Sequence, residues 1–126
     1  MSEYIDGFLL SVPKKKLAAY RKLAARAGKI WREHGALDYR ECVGDDVKVK
    51  GMMAFPKLAR TKPREVVLFS FVVFKSRRHR DAANKRIMSD PRIAAMCAAS
   101  GVDLDSQRMA YGGFKTLVRV AARSKD

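Results

Sequence analysis

Residues 65–74 read EVVLFSFVVF, and this decapeptide restricts the fold more than any other part of the chain. It is dense in β-branched and aromatic residues, which suit a pleated strand. Successive side chains of a strand point to opposite faces. Val66, Leu68, Val72 and Phe74 therefore share one face, and Val67, Phe69, Phe71 and Val73 share the other. Both faces are apolar, so both need cover.

Three more segments read as strands. EYIDGFLLSV (3–12) sets Tyr4, Asp6, Phe8 and Leu10 against Ile5, Gly7, Leu9 and Ser11, and stops at Pro13. ALDYRECVG (36–44) sets Leu37, Tyr39, Glu41 and Val43 against Asp38, Arg40 and Cys42. The last runs from about 107 to 120. Between them, Leu17, Tyr20, Leu23, Ala24, Ala27, Ile30, Trp31 and His34 recur at helical spacing, which predicts a helix over 14–34 with Gly35 as its stop. SRRHRDAANKRIM (76–88) predicts a second helix. SDPR (89–92) restarts the chain, with Ser89 or Asp90 as cap and Pro91 at the first helical position, and a short helix then ends near Gly101. Segment 45–64 holds Gly51, Pro56, Pro63 and six cations, so it reads as a basic excursion outside the core, tacked down by Met52, Met53 and Phe55.

The order is α+β and ferredoxin-like, βαββαβ, with one four-stranded antiparallel sheet. Residues 1–120 make a single domain carrying the 45–64 excursion, and 121–126 a short tail. Helices on one side cover one face only. The face bearing Phe69, Phe71 and Val73 stays open, and a monomer rarely leaves so much apolar area in water. A second copy of the same sheet is the simplest cover, so the expected assembly is a homodimer closed as a dimeric α+β barrel.

RMAYGGF (108–114) places two glycines inside the last strand, where glycine weakens the ladder. Between Tyr111 and Phe114, one of Gly112 and Gly113 can host a bulge and the other can admit a neighbouring side chain. The alternative is that they leave room for a ligand.

Charge is the unusual bulk feature: 27 Lys and Arg against 13 Asp and Glu give +14. The first helix carries Lys15, Lys22, Arg26 and Lys29 opposite its apolar stripe. Such a surface favours polyanions or is simply solvated. Nucleic-acid binding usually adds stacking aromatics, and Tyr20 and Trp31 fall on the buried side. Cys42 and Cys97 are far apart and read as two buried thiols. His34 and His79 are isolated, which argues against a protein-held metal. The apolar run near the start is too short and interrupted for a signal peptide or membrane span, so a cytoplasmic location with no membrane partner is expected.

No GxSxG, P-loop, GxGxxG or HExxH occurs. No cofactor is implied. What remains is a set of polar residues at apolar positions: Asp6, Glu41, Asn84, Arg108 and Tyr111. Buried carboxylates need partners, and Arg108 could pair with Asp6 or Glu41 across the sheet. Either this is a structural ion pair, or it is a cleft in which a carboxylate takes a proton and Arg108 holds an anionic oxygen.

YIDGFLLSVP (4–13), ECVGDDV (41–47), RDAANKRIMSDPR (80–92) and RMAYGGF resemble the YbaA-like proteins, the family of domain of unknown function DUF1428. The resemblance spans nearly the whole chain. It implies the dimeric α+β barrel superfamily, which holds cofactor-free monooxygenases, other small-molecule enzymes and binding proteins. The family brings no established reaction. Some members carry a description tying them to signal recognition particle RNA. Three readings follow: a homodimer binding or converting a small molecule between sheet and helices, an RNA-associated basic protein, or a structural dimer without ligand.

Overall fold

The computed structural model describes residues 2–123. The outermost part of the expected tail, 124–126, lies outside the described residues. Four strands, β1 (Tyr4–Pro13), β2 (Asp38–Val43), β3 (Glu65–Phe74) and β4 (Ala110–Lys115), form one antiparallel sheet in the order β2-β3-β1-β4. Helices α1 (Leu17–Glu33), α3 (Arg77–Met88) and α4 (Pro91–Ser100) complete the ferredoxin-like arrangement, and a single turn, α2 (Phe55–Leu58), lies in the excursion.

The 65–74 strand is interior to the sheet, hydrogen-bonded along one edge to β2 and along the other to β1. On one face Tyr4, Leu10, Val12, Leu68, Val72 and Phe74 pack against Tyr20, Ala24, Ala83 and Ile87 of the helices. The helix boundaries follow local chemistry. Lys14–Lys16 form a tighter 3₁₀ turn before α1. The Ser76 hydroxyl accepts from the His79 N–H at the start of α3. Asp90 caps α4, Pro91 opens it, and Gly101 closes it at φ +70°. His34 Nε2 and Arg92 Nη2 both meet Asp90 Oδ2, at 2.9 and 2.8 Å, tying the end of α1 to the start of α4.

The other face is covered only in part. The excursion lies on it, but not through the methionines. Met52 and Met53 are exposed, whereas Ala59 is 4% exposed and packs with Leu9, Val67 and Val47. A hydrogen bond of 2.8 Å between Ser11 Oγ and Thr61 Oγ1 pins the same region. Phe55 reaches Phe69 edge-on, with ring centroids 6.4 Å apart. Phe69 remains 49% exposed and Phe114 62% exposed on this face.

Several expectations change. The last strand is shorter than 107–120, because Asp105 caps a 3₁₀ turn at Ser106–Arg108 and β1 ends its pairing at Tyr4↔Lys115. Leu117, Val118 and Val120 therefore stand exposed. Both cysteines are exposed rather than buried: Cys42 lies on the edge strand opposite Phe69, on the open face, and Cys97 on the outer side of α4. No helix among the described residues is long and apolar enough to cross a membrane.

The glycine pair hosts no bulge. Gly7↔Gly112 and Asp6↔Gly113 stay in register. The close-approach expectation holds at Gly113, where a Cβ would lie 2.5 Å from Tyr4 Cε2 and 2.8 Å from Arg80 Nη2. Gly113→Ala should cost about 1–3 kcal/mol by overpacking, read as a lower midpoint in urea unfolding. Gly112→Ala meets only ordinary contacts near 3.7 Å and should be close to neutral. Equal effects at both positions would contradict this packing.

Candidate functional site

The five polar residues singled out above fall into three separate places. Asp6, Asn84 and Tyr111 come together. Asp6 is 2% exposed on β1. Tyr111, opposite Phe8 on β4, donates from its hydroxyl to Asp6 Oδ2 at 3.1 Å. That hydroxyl accepts from Arg80 Nη1 at 3.1 Å and from Asn84 Nδ2 at 3.4 Å. Arg80 also donates to the Tyr4 hydroxyl at 3.2 Å, and its guanidinium lies 4.9 Å from the Tyr4 ring centre. Asp6 Oδ1 and Arg80 Nε face each other at 3.7 Å, and neither has a hydrogen bond. Burial pushes the Asp6 carboxyl up, opposed by Arg80 and by hydrogen bonds from Tyr111 and Asn84. Burial and then the Asp6 charge push the Tyr111 phenol up as well. With its hydroxyl fully used, Tyr111 acts here as a clasp joining β4, β1 and α3.

Arg108 does not reach Asp6 or Glu41, contrary to expectation. It forms a two-pronged pair with Glu65, at 2.7 and 2.8 Å, and bonds Asp105 Oδ2 at 3.1 Å. The reason is local: the 3₁₀ turn at 106–108 turns Arg108 toward the start of β3 instead of along β4. Hydrogen bonds from Arg108 hold the Glu65 carboxyl at about 2, well below its ordinary 4.5. A carboxyl lowered on folding adds stability above its unfolded value and loses it as pH falls toward the folded one. Wild-type stability should therefore fall between about pH 4.5 and 2, and Arg108→Met should flatten that part of the curve. An unchanged acid limb in the variant would contradict the assignment.

Glu41 occupies the third place, on the helix-facing side of the edge strand β2. Tyr20 of α1 donates to Glu41 Oε1 at 2.8 Å, Tyr39 donates to Oε2 at 2.7 Å, and Ser70 of β3 donates to Oε1. Among the described residues no cation pairs with it. Burial and the Glu41 charge push both tyrosines well above their usual range, so they remain neutral donors. Tyr39 reaches this position because α1 has Gly28 there: a Cβ would lie 2.8 Å from the Tyr39 ring. Tyr20, Tyr39 and Glu41 border two cavities at once. One is a groove of about 1160 Å³ between α1 and β2. The other, about 180 Å³, lies between sheet and helices and is lined by Phe8, Leu10, Trp31, Val72, Leu104 and Met109.

Arg80, Tyr4, Tyr20, Tyr39 and Ser70 were missed, and two of them left a trace in the sequence. Arg80 precedes Asn84 by four residues and so shares its helix face. Ser70 is the one polar residue between Val66 and Phe74 on the face carrying Leu68 and Val72. The basic residues Lys15, Lys22, Arg26 and Lys29 are all exposed, but Tyr20 is buried and Trp31 packs on the core, so α1 offers no ring beside them. Phe69, Phe71 and Val73 lie on the open face, where Arg40 stacks over Phe71 at 5.7 Å. Among the described residues no group of three potential metal ligands occurs.

The uncharacterized protein YbaA of Escherichia coli (strain K12) is 38% identical over 92% of this chain and 97% of its own. A dimeric ferredoxin-like protein from an uncultured marine organism superposes with TM-score 0.61 at 7% identity, covering 95% of this chain and 100% of that one. A putative antibiotic biosynthesis monooxygenase from Bacillus cereus gives TM-score 0.53 at 11% identity, covering 97% and 100%. At such identities the likeness establishes the fold alone. The family model for proteins of unknown function DUF1428 matches residues 3–105, and the chain belongs to that family.

Proposed function

We propose that the protein is a cytoplasmic homodimer that binds a small organic molecule in each subunit, where the α1–β2 groove meets the inner cavity, with Glu41 as the anchoring acceptor. One observation carries this reading: a carboxylate on the wall of two cavities that is held by three hydroxyls and no cation. The structural acids of this protein are built otherwise, since Asp6 and Glu65 each face an arginine. A carboxylate offers about four acceptor positions. Tyr20 and Ser70 use two on Oε1, and Tyr39 uses one on Oε2. The remaining position on Oε2 suits a ligand hydroxyl or N–H. Phe8, Trp31 and Met109 supply the apolar lining typical of small-molecule sites.

Homodimerisation is supported by the open sheet face, with Phe69 and Phe114 both largely exposed, and by the dimeric description of the marine neighbour. Ligand recovery tests the site. A small molecule should be extracted from gently purified wild type, and Glu41→Gln should retain roughly tenfold less, because the amide nitrogen opposes donors where a carboxylate oxygen accepts them. Equal recovery from a folded Glu41→Gln protein would remove Glu41 from the site.

A further inference from the structure

The charge around the α1–β2 groove is uneven in a way the fold does not require. Its floor is apolar, with Leu17, Ala24, Gly28, Leu37, Val43 and Leu68. Three acids and three cations also line it. Every acid is already engaged. Glu33 accepts from Arg92 Nη2 at 2.6 Å, Asp38 pairs with Arg40 Nε at 3.3 Å, and Glu41 is held by its hydroxyls. The cations are not used up in this way. Among the described residues Arg21 and Lys29 form no ion pair, and Arg32 gives Nη1 to the Ala36 carbonyl at 2.5 Å, keeping its remaining N–H groups.

Arg21, Ala25 and Lys29 follow one another at four-residue steps, so they share one edge of α1 along the groove. The short Ala25 side chain leaves the space between the two cations open. Two charges flank an apolar trough whose inner end presents one free carboxylate acceptor position.

We infer that the ligand is an organic anion: an apolar body lying on the groove floor, an anionic group held by Arg21 and Lys29, and a hydroxyl or N–H directed at Glu41. This rests on the ligand-site reading above and adds the charge class of the molecule. A sugar–phosphate backbone fits poorly, because the floor between the cations is apolar. Lys29, one of the cations that make α1 resemble a polyanion surface, therefore has a nearer use.

The test compares two probes on the full chain by fluorescence titration. Anilinonaphthalene sulfonate carries an apolar body, an N–H and an anionic group. Phenylnaphthylamine is the same ring system without the sulfonate. Wild type should bind the sulfonate roughly tenfold more tightly, as for a charge-assisted contact on an apolar wall. Arg21→Ala with Lys29→Ala should erase that preference and leave phenylnaphthylamine binding unchanged. Ala25→Trp, an exposed substitution that fills the trough, should block both probes. Equal affinity for the two probes, both blocked by Ala25→Trp, would overturn the anion class and leave the site standing. Sulfonate binding that survives Ala25→Trp would place the anion elsewhere and overturn the inference. Failure of both probes to bind wild type would overturn the inference and the site together.

Discussion

Arg80→Met is expected to destabilise the protein by about 3–5 kcal/mol, because it leaves a buried carboxylate without its cation. Asp6 is 2% exposed, and Arg80 is the cation that faces it. The substitution also removes donors to the hydroxyls of Tyr111 and Tyr4. Without Arg80, Asp6 can stay buried only by holding a proton. An acid whose folded value is raised gives most stability below its unfolded value, 3.8 for Asp6, and loses it as pH rises toward the folded value. The deficit of Arg80→Met relative to wild type should therefore be larger at about pH 7 than at about pH 4. Replacing both partners by apolar residues of similar size should cost less than Arg80→Met alone. Denaturant unfolding at the two pH values measures this. A deficit independent of pH would show that Arg80 acts by packing and not through Asp6.

The second large effect belongs to the proposed dimer. Phe71→Asp places a charge at the centre of the open sheet face, beside Phe69 and opposite Arg40. Burying one large apolar side chain is worth roughly 1.5–3 kcal/mol, and the substitution also puts an ionised carboxylate where the second sheet would pack. Sedimentation should show the wild type as a dimer and Phe71→Asp as a folded monomer at micromolar concentration. Val73→Asp should act in the same direction. The helix-side core would be untouched, so far-ultraviolet circular dichroism should be retained. A wild type that sediments as a monomer would contradict the dimer directly.

How much of this was legible in the sequence depends on the kind of signal. The strand faces were readable because alternation has a strict period of two: Asp6 lies on the helix side, and Phe69, Phe71 and Val73 on the open side. The start of α4 was readable because Asp90–Pro91 is local capping chemistry. Partnerships were not. Arg108 stands just ahead of β4 and looked available to Asp6, but one 3₁₀ turn sends it to Glu65. Arg80 carried no mark inside SRRHRDAANKRIM, where it is one of several cations, yet it is the one that meets Asp6. Glu41 was visible as a polar residue among apolar ones, but its three hydroxyls come from α1, β2 and β3, and only the assembled sheet brings them to one point. The excursion was misjudged because Ala59 carries no weight in a hydrophobic pattern, while the conspicuous Met52 and Met53 face outward.

The proposed assembly is a dimer with one organic ligand site per subunit at Glu41. Native mass spectrometry of the wild type, equilibrated with a metabolite extract of its own source, tests both halves in one spectrum. The spectrum should show twice the chain mass of 14.2 kDa plus one small molecule for each subunit. A monomer, or a dimer that stays bare in that extract, would contradict it.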